Sequence, residues 1–570
     1  MQAQHQAKSS MRDAALAAVL AVGMSLIWCL RNWSDLAAMQ LPDTDDAVRL
    51  QQIRDWLAGQ RFADLTQYRL GPPEGLVMHW SRLGDLVPAA IIRLTTPLVG
   101  NSTAELLAVT IWPATSFAAA LYLVARVARL VDPGRNAATA MIVAALAFPT
   151  TTLFMPGRID HHAVQIVLLL GSVVLTLGAA SIIRGLGIGL LAATSLAIGL
   201  EAAPLLAIIG VAAGIAWVAS APGAAERLAG LGAGLLVGLA LAYLTVVGDG
   251  WYYPACDALT AQAGAAAAML SLTPVALVVV DRKIRLMPAR ACAALLVGGV
   301  ALAAAITRSP GCTTPYGSVD PMILRLWLSQ VGEAQGLLHA APATAIGYLG
   351  VLVVGLLATA SHVRRAPRSG WTIILALQAA SLAIAFVQLR GAYAGAILAA
   401  PALGSLIGTA RAQGSFRLVA AWLASAGIVY PLAASALPPS PDKSPSQASC
   451  SARELTQDIA TLPPGMVFAP IDVGAWGLLS TPHHFAAAPY HRNNRGNLAM
   501  YRFFLRPPSA ARDIAAAWRV DYVVACRSGL NAMNGSGHSM ARLLARGKFP
   551  RWLRPVHAGA PDSMLFRVIR

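Results

Sequence analysis

The chain has 570 residues, 56% of them hydrophobic and 12% charged, with a mean hydropathy of +0.59 and a formal net charge of +17. A soluble globular chain carries about a quarter charged residues, so this composition excludes a soluble protein and predicts a polytopic α-helical membrane protein. The basic excess does not point to nucleic acid, because no basic run is interleaved with stacking aromatics. In a membrane protein it marks cytoplasmic loops and contacts with anionic lipid.

In chain order, apolar runs suited to a bilayer fall at 14–31, 104–125, 137–153, 161–182, 186–200, 203–219, 228–247, 262–280, 289–306, 343–361, 370–388, 392–409 and 418–436. That makes roughly thirteen spans. The first follows Lys8 and Arg12 and has no small-residue cleavage site before the acidic stretch behind it. It is expected to remain as a signal anchor. Residues 86–99 are also apolar, but the run is short, interrupted by Arg93 and marked by Pro88 and Pro97. A re-entrant or interfacial helix is expected there. With that choice Lys8, Arg12, Arg126, Arg129, Arg184, Arg227, Arg282, Lys283, Arg364, Arg365 and Arg417 share one side. The positive-inside rule makes that side cytoplasmic; counting 86–99 as a span would scatter the bias.

The opposite, periplasmic side then receives a long first loop (32–103), short loops at 154–160, 201–203 and 248–261, the loop 307–342, and residues 437–570. The last region opens on a Pro/Ser-rich linker, LPPSPDKSPSQAS, and then turns ordinary in composition. VDYVVAC (520–526) reads as a strand and SAARDIAAAW (509–518) as a helix. The expected organisation is a transmembrane domain over 1–436 and a small mixed α/β domain over 437–570. The six cysteines show no CxxC spacing that would suit zinc. Cys256 with Cys312, and Cys450 with Cys526, are candidate pairs in an oxidising compartment.

On the periplasmic side several costly polar residues collect. Asp43, Asp45 and Asp46 crowd PDTDDAVRLQQIR after the first span, where close carboxylates repel unless a cation relieves them. Asp160, His161 and His162 open the fourth span in PGRIDHHAVQ. Glu201 lies in the turn LEAAP, Glu333 in VGEAQ and Arg390 in QLRGAYAG. Singly each has a plain structural role: Asp160 as an N-cap, Glu201 as a cap before Pro204, Arg390 snorkelling to lipid. Together, carboxylates and imidazoles with one arginine make a divalent-cation site beside a phosphate-binding group. Such a set suits transfer of a group from a phosphate leaving group. The string HWSR (79–82) is a candidate contact for sugar or lipid headgroup, with an interfacial Trp80 the commoner reason for such a string.

These strings resemble those of GT-C fold glycosyltransferases, and within them the catalytic subunit of oligosaccharyltransferases. The resemblance implies a long first outer loop whose acidic motif holds metal and acceptor. Asp45 is the best match there, with Asp43 the alternative and Asp46 a further candidate. It implies a second acidic motif at the fourth span, where Asp160 matches and His162 replaces the second acid. It also implies a loop glutamate matching Glu333 and a donor-phosphate arginine matching Arg390. The family reads its acceptor with a Trp-Trp-Asp-type motif; here PIDVGAWGLLSTPHHFAAAPYHRNN (470–494) offers Asp472 without the paired tryptophans. His491 and Arg492 in that string are candidates for donor phosphate.

The expected protein is thus a bacterial inner-membrane glycosyltransferase. It would use Mg²⁺ or Mn²⁺ and a polyprenyl-linked sugar donor, and pass sugar on the periplasmic face to a glycan, lipid or protein acceptor. The metal would sit on Asp45, Asp160, His162 and Glu333. A lipid A- or polysaccharide-modifying transferase of the same fold is the near alternative. A polyprenol-sugar flippase would place its ionisable residues near mid-membrane and repeat its halves, whereas here they cluster at one face.

Overall fold

The computed structural model describes residues 2–569 apart from 135, 253–254, 309–311, 313–315, 318, 368, 438–450, 534–535 and 560–561. The chain divides into two compact units. The first takes Met1–Trp33, His79–Gly317 and Val331–Pro438; the second takes Ser34–Met78, Ser318–Gln330 and Pro439–Arg570. The C-terminal region therefore shares its unit with much of the first loop. Apart from Leu437, the Pro/Ser-rich linker lies outside the described residues.

The first unit is helical. Among the described residues six helices are long and apolar enough to cross a membrane: Lys8–Arg31, Asn101–Val131, Ala224–Val246, Ala261–Asp281, Met287–Arg308 and Pro342–Arg365. The pair Leu389–Leu398 and Ala400–Arg411, bent by 48°, makes a seventh if it is one span. Four apolar helices are shorter: His161–Leu177, Ile182–Ile198, Ala203–Val218 and Trp371–Ala385. Residues 86–99 form the expected short helix, Leu86–Val99.

Two further expected spans are broken. The run 137–153 is a helix only over Ala137–Ala145, then a 3₁₀ turn over Thr150–Phe154; the run 418–436 breaks between Ser425 and Val429. Backbone polar groups freed inside an apolar unit need partners, and the two breaks supply them to each other. Ile428 N donates to Leu146 O at 3.1 Å. A Cβ on Gly427 would meet Leu146 O and Phe148 N at 2.6 Å, so only glycine lets the two breaks approach.

Elsewhere small residues set the packing. Gly185 and Gly189 on Ile182–Ile198 face Gly230 and Gly234 on Ala224–Val246. A Cβ at any of the four would lie 2.1–2.3 Å from a backbone carbonyl oxygen of the other helix. This is close small-residue helix packing, which lets two backbones approach in an apolar setting. Cys256 and Cys312 are disulfide-bonded, as their spacing allowed. Cys526 is also in a disulfide; its expected partner, Cys450, lies outside the described residues.

The second unit is built on a five-stranded sheet, β3 (Met466–Phe468), β4 (His484–Phe485), β5 (Tyr522–Cys526), β6 (Leu553–Val556) and β7 (Ser563–Val568), in the order β4-β3-β5-β7-β6. A separate hairpin in the first loop pairs β1 (Thr66–Gln67) with β2 (Leu76–Val77). β3 runs parallel to β4 and β5, whereas β7 is antiparallel to β5 and β6. Every residue of β5 is buried, which is why YVVAC carries no polar alternation. The helix expected at 509–518 forms over Pro508–Ala517.

The first loop joins this unit through its arginines. Arg54 donates to Leu479 O at 2.8 Å, and Arg69 donates to Leu478 O and Thr481 O at 2.6 Å each. These carbonyls end the helix Val473–Ser480. The guanidiniums satisfy its unpaired acceptors and meet the negative end of its dipole.

Candidate functional site

In the first unit Asp160 starts the helix His161–Leu177 as its N-cap, accepting from His161 N at 2.6 Å. The capping role expected of an aspartate at this junction is filled, and the carboxylate does more besides. Its Oδ1 lies 2.6 Å from His161 Nδ1. His161 Nε2 lies 3.2 Å from Glu201 Oε1. With a carboxylate oxygen accepting at each ring nitrogen, both nitrogens carry protons, and His161 is a buried cation between two anions.

Glu201 is held in turn by Gln165, whose Nε2 donates to Glu201 Oε2 at 3.1 Å and to Gly199 O at 2.9 Å. The carboxylate folds back so closely that a Cβ on Gly199 would meet Glu201 Oε2 at 2.4 Å. Burial pushes the Glu201 carboxyl up, but the charge and hydrogen bond of His161 outweigh it and hold Glu201 well below the usual carboxylate range.

His161 thus spends Oδ1 of Asp160 and leaves Oδ2 to face His162, whose Nε2 is 3.5 Å away. Asp160, His161 and His162 are all buried and bring their ligand atoms within 4.8 Å of one another. Arg158 approaches the same Oδ2 at 3.9 Å. Around His162 the cluster continues into Tyr393, with ring centroids 6.4 Å apart. Tyr393 OH donates to Glu333 Oε2 at 2.8 Å. Glu333 O accepts from Arg390 N at 3.0 Å, and the Arg390 guanidinium bonds to Tyr316 OH and lies over its ring. Asp160, His162, Glu201, Glu333 and Arg390 are therefore drawn into one neighbourhood at the ends of several helices.

Sequence reasoning missed three members of that neighbourhood. His161 was seen only as part of the string. Tyr393 was hidden in an apolar run. Trp80 was expected at a membrane interface; it is 1% exposed and its ring lies 5.9 Å from that of His161. Packing against the His161 cation explains why it turns inward. Its neighbour His79 lies 6.3 Å from His161 by ring centroids.

The second unit holds Asp43, Asp45, Asp46, Asp472, His491 and Arg492. Asp43 caps the helix Thr44–Leu57, accepting from Asp45 N at 3.2 Å. Asp46 is fully buried and Asp45 partly exposed in the first turn. Burial pushes the Asp472 carboxyl up, and the charge of Asp43 adds to it. Burial also raises the Tyr501 hydroxyl, with Asp472 contributing. Asp43, Asp472 and Tyr501 are thus electrostatic neighbours.

The polar string that follows is largely structural. His483 is buried, with Nε2 2.7 Å from Ile459 O and Nδ1 accepting from Gly465 N at 3.1 Å. Asn493 donates to Ala486 O and to Asn497 Oδ1. Arg492 donates to Val77 O and Met78 O at 3.4 and 3.3 Å.

No protein-family model matches the sequence, and no curated protein matches it. Solved structures do. The apo oligosaccharyltransferase of Archaeoglobus fulgidus aligns over 97% of this chain and 74% of its own, with a TM-score of 0.67 at 16% identity. The oligosaccharyltransferase AglB of the same organism, in complex with an inhibitory peptide and a dolichol-phosphate, aligns over 99% and 74%, with a TM-score of 0.65 at 14% identity. A complex of the A. fulgidus enzyme with Zn and sulfate aligns over 98% and 73%, with a TM-score of 0.55 at 15% identity. This chain has the GT-C fold.

Among the residues of this site Asp160 and His162 could hold a cation. Two ligands each about 2.1 Å from a tetrahedral metal lie about 3.4 Å apart; Asp160 Oδ2 and His162 Nε2 are separated by 3.5 Å. An imidazole donor suits Mn²⁺ or Zn²⁺ better than Mg²⁺, which favours oxygen ligands and water. His161 is spent on Asp160 and Glu201, and orients the carboxylate rather than offering a lone pair.

Proposed function

We propose that the protein is an integral membrane glycosyltransferase that moves a sugar or oligosaccharide from a polyprenyl phosphate or pyrophosphate to an acceptor on the periplasmic face of a bacterial inner membrane. The observation that carries this reading is the Asp160–His162 pair, beside Glu333 and Arg390, at the helix ends of a GT-C fold.

Asp160 and His162 would hold a divalent cation, with Glu333 as a further ligand. A cation bound there supplies positive charge to the departing phosphate. Arg390 binds the remaining phosphate oxygens, and its guanidinium is already oriented by Tyr316. Asp45 orients the acceptor and takes the proton of its nucleophile, which forms the new bond to the anomeric carbon as the bond to the phosphate oxygen breaks on the opposite face. The sugar inverts, and the lipid phosphate leaves against Arg390. Tyr393 fixes Glu333 through its hydroxyl. Asp472, beside Asp43, lies on the acceptor side in this reading, and His491 is a secondary candidate for phosphate. The missing paired tryptophans argue against an Asn-x-Ser/Thr acceptor.

The solved AglB structure contains a dolichol-phosphate, which supports a polyprenyl donor here. The test is release of polyprenyl phosphate from a sugar-loaded lipid by the purified chain. Asp45→Ala abolishes release while leaving membrane insertion intact. Unaltered release by that variant, or in the presence of chelator, sinks the assignment. Comparing glycolipids and glycoproteins of a deletion strain identifies the acceptor, and a loss confined to lipid A would select the lipid-modifying alternative.

A further inference from the structure

The loop 307–342 leaves the first unit after Gly317 and rejoins it at Val331. Both of its ends in that unit meet Arg390. On the returning side Glu333 O accepts from Arg390 N at 3.0 Å, and Gln335 O accepts from Leu389 N at 2.8 Å. These bonds fix the backbone of the 3₁₀ turn Leu389–Gly391, but a long side chain on a fixed backbone still rotates. On the departing side Tyr316 holds that side chain. Its hydroxyl accepts from the guanidinium, and its ring centroid lies 5.5 Å from Arg390 Cζ. Among the described residues the Arg390 Nε is buried with no hydrogen-bond partner, a donor left for a ligand.

Tyr316 does not stand on a helix. The helix Met287–Arg308 ends eight residues before it, and after Gly317 the chain belongs to the second unit. The covalent tie between this stretch and the helical frame is the disulfide of Cys312 with Cys256. The disulfide also packs beside Tyr316: a Cβ on Gly317, at φ +62°, would lie 3.5 Å from Cys256 Sγ. Cys256 is itself on an anchored segment, between the helices Ala224–Val246 and Ala261–Asp281. In that segment Trp251 meets Tyr243 of the first helix edge-on, with centroids 5.4 Å apart, and a Cβ on Gly264 of the second would touch its ring at 2.8 Å.

We propose that the Cys256–Cys312 disulfide is a positioning element of the donor site, holding Tyr316 against Arg390 so that the guanidinium is oriented before the lipid phosphate arrives. This rests on the reading of Arg390 as the phosphate ligand. The plainer role of a bridge across a sequence separation of 56 is to constrain the unfolded chain. That role predicts lower thermal stability without the bridge and unchanged affinity for phosphate. A guanidinium ordered in advance loses less entropy on binding, so positioning predicts a loss of affinity as well.

The test is binding of undecaprenyl phosphate to the full-length chain in detergent. Cys256→Ser with Cys312→Ser weakens binding about tenfold, and so does Tyr316→Phe, the size of one lost hydrogen bond to a charged group. All three substitutions together are no worse than either set alone, because both act through one contact. Each variant elutes as the parent does in size-exclusion chromatography. If the serine variant does not fold, a phosphine reductant on the parent gives the same comparison: binding weakens about tenfold, reoxidation restores it, and Tyr316→Phe does not respond. A folded serine variant does not respond either, which separates this disulfide from that of Cys526. Parent-like affinity without the disulfide, additive losses, or a Tyr316→Phe variant as sensitive to reductant as the parent overturns the proposal. Arg390→Gln binding like the parent sinks the phosphate reading and the proposal with it. A weakened Arg390→Gln beside a parent-like serine variant sinks the disulfide's role alone.

Discussion

Around Asp160 two carboxylates, Asp160 and Glu201, face the ring nitrogens of His161, whereas around Asn493 most side-chain bonds end on the backbone. Both stretches are dense in His, Asn, Asp and Arg, and in the sequence both look like sites. In the first unit, His161 is bonded to Asp160 and Glu201, and one oxygen of Asp160 is left toward His162. In the second, His483, Arg492 and Asn493 bond to the carbonyls of Ile459, Val77, Met78 and Ala486. Polar density therefore does not mark a site. What marks it is where the hydrogen bonds end: on other ionisable groups, which leaves charge to be used, or on the backbone, which uses it up in folding.

Substitutions can break or sharpen that contrast. The largest effect is expected at Asp160→Asn. Asparagine caps a helix about as well as aspartate, so the helix start is kept while the anionic ligand is lost. Transfer per folded molecule should fall about 100- to 1000-fold, the range for deleting a group that stabilises developing charge, and stability should drop as well, because buried His161 loses one of its two anions. If stability collapses and residual rate per folded molecule is normal, Asp160 belongs with Asn493 as a structural residue.

His483→Ala should do the reverse. It strands Ile459 O and Gly465 N in a buried setting, which costs about 2–4 kcal/mol. The unfolding midpoint of the second unit should drop while transfer per folded molecule persists. Loss of transfer without loss of stability would move His483 into the site.

Glu201→Gln should cost about 10- to 100-fold in metal affinity, the range for a group that orients a ligand. Apparent activity is restored by excess Mn²⁺ if the defect is affinity, and is not restored if Glu201 acts on substrate.

The smallest effect is expected at Asp472→Asn. Burial and the charge of Asp43 raise this carboxyl. Folding then favours the protonated form, so its contribution is fully present below the ordinary aspartate value and is lost as pH rises through the raised one. The substitution should stabilise the protein slightly at neutral pH and flatten the pH dependence above about 4. A neutral-pH loss of stability would contradict the burial argument.

The fold was legible in outline because hydropathy is a sum over many residues. Lys8–Arg31, Pro342–Arg365 and the buried β5 follow directly from composition. The broken helices were not legible, since apolar content at 137–153 and 418–436 does not report whether the backbone stays helical through Phe148-Pro149 or Gly427. The expectation for Asp160 stood on local grammar, a cap followed by two histidines. The partnership of His161 with Glu201 joins residues 40 positions apart, and only the packing of three helix ends creates it. Arg492 was offered as a phosphate ligand because nothing local reveals that its guanidinium meets Val77 and Met78.

The most direct test is the binding of Mn²⁺ to the purified chain, followed alongside release of polyprenyl phosphate from a sugar-loaded polyprenyl donor. The account predicts saturable Mn²⁺ binding and metal-dependent release by the parent, and loss of both in Asp160→Asn. Undiminished release by Asp160→Asn, or by metal-stripped parent, would contradict it.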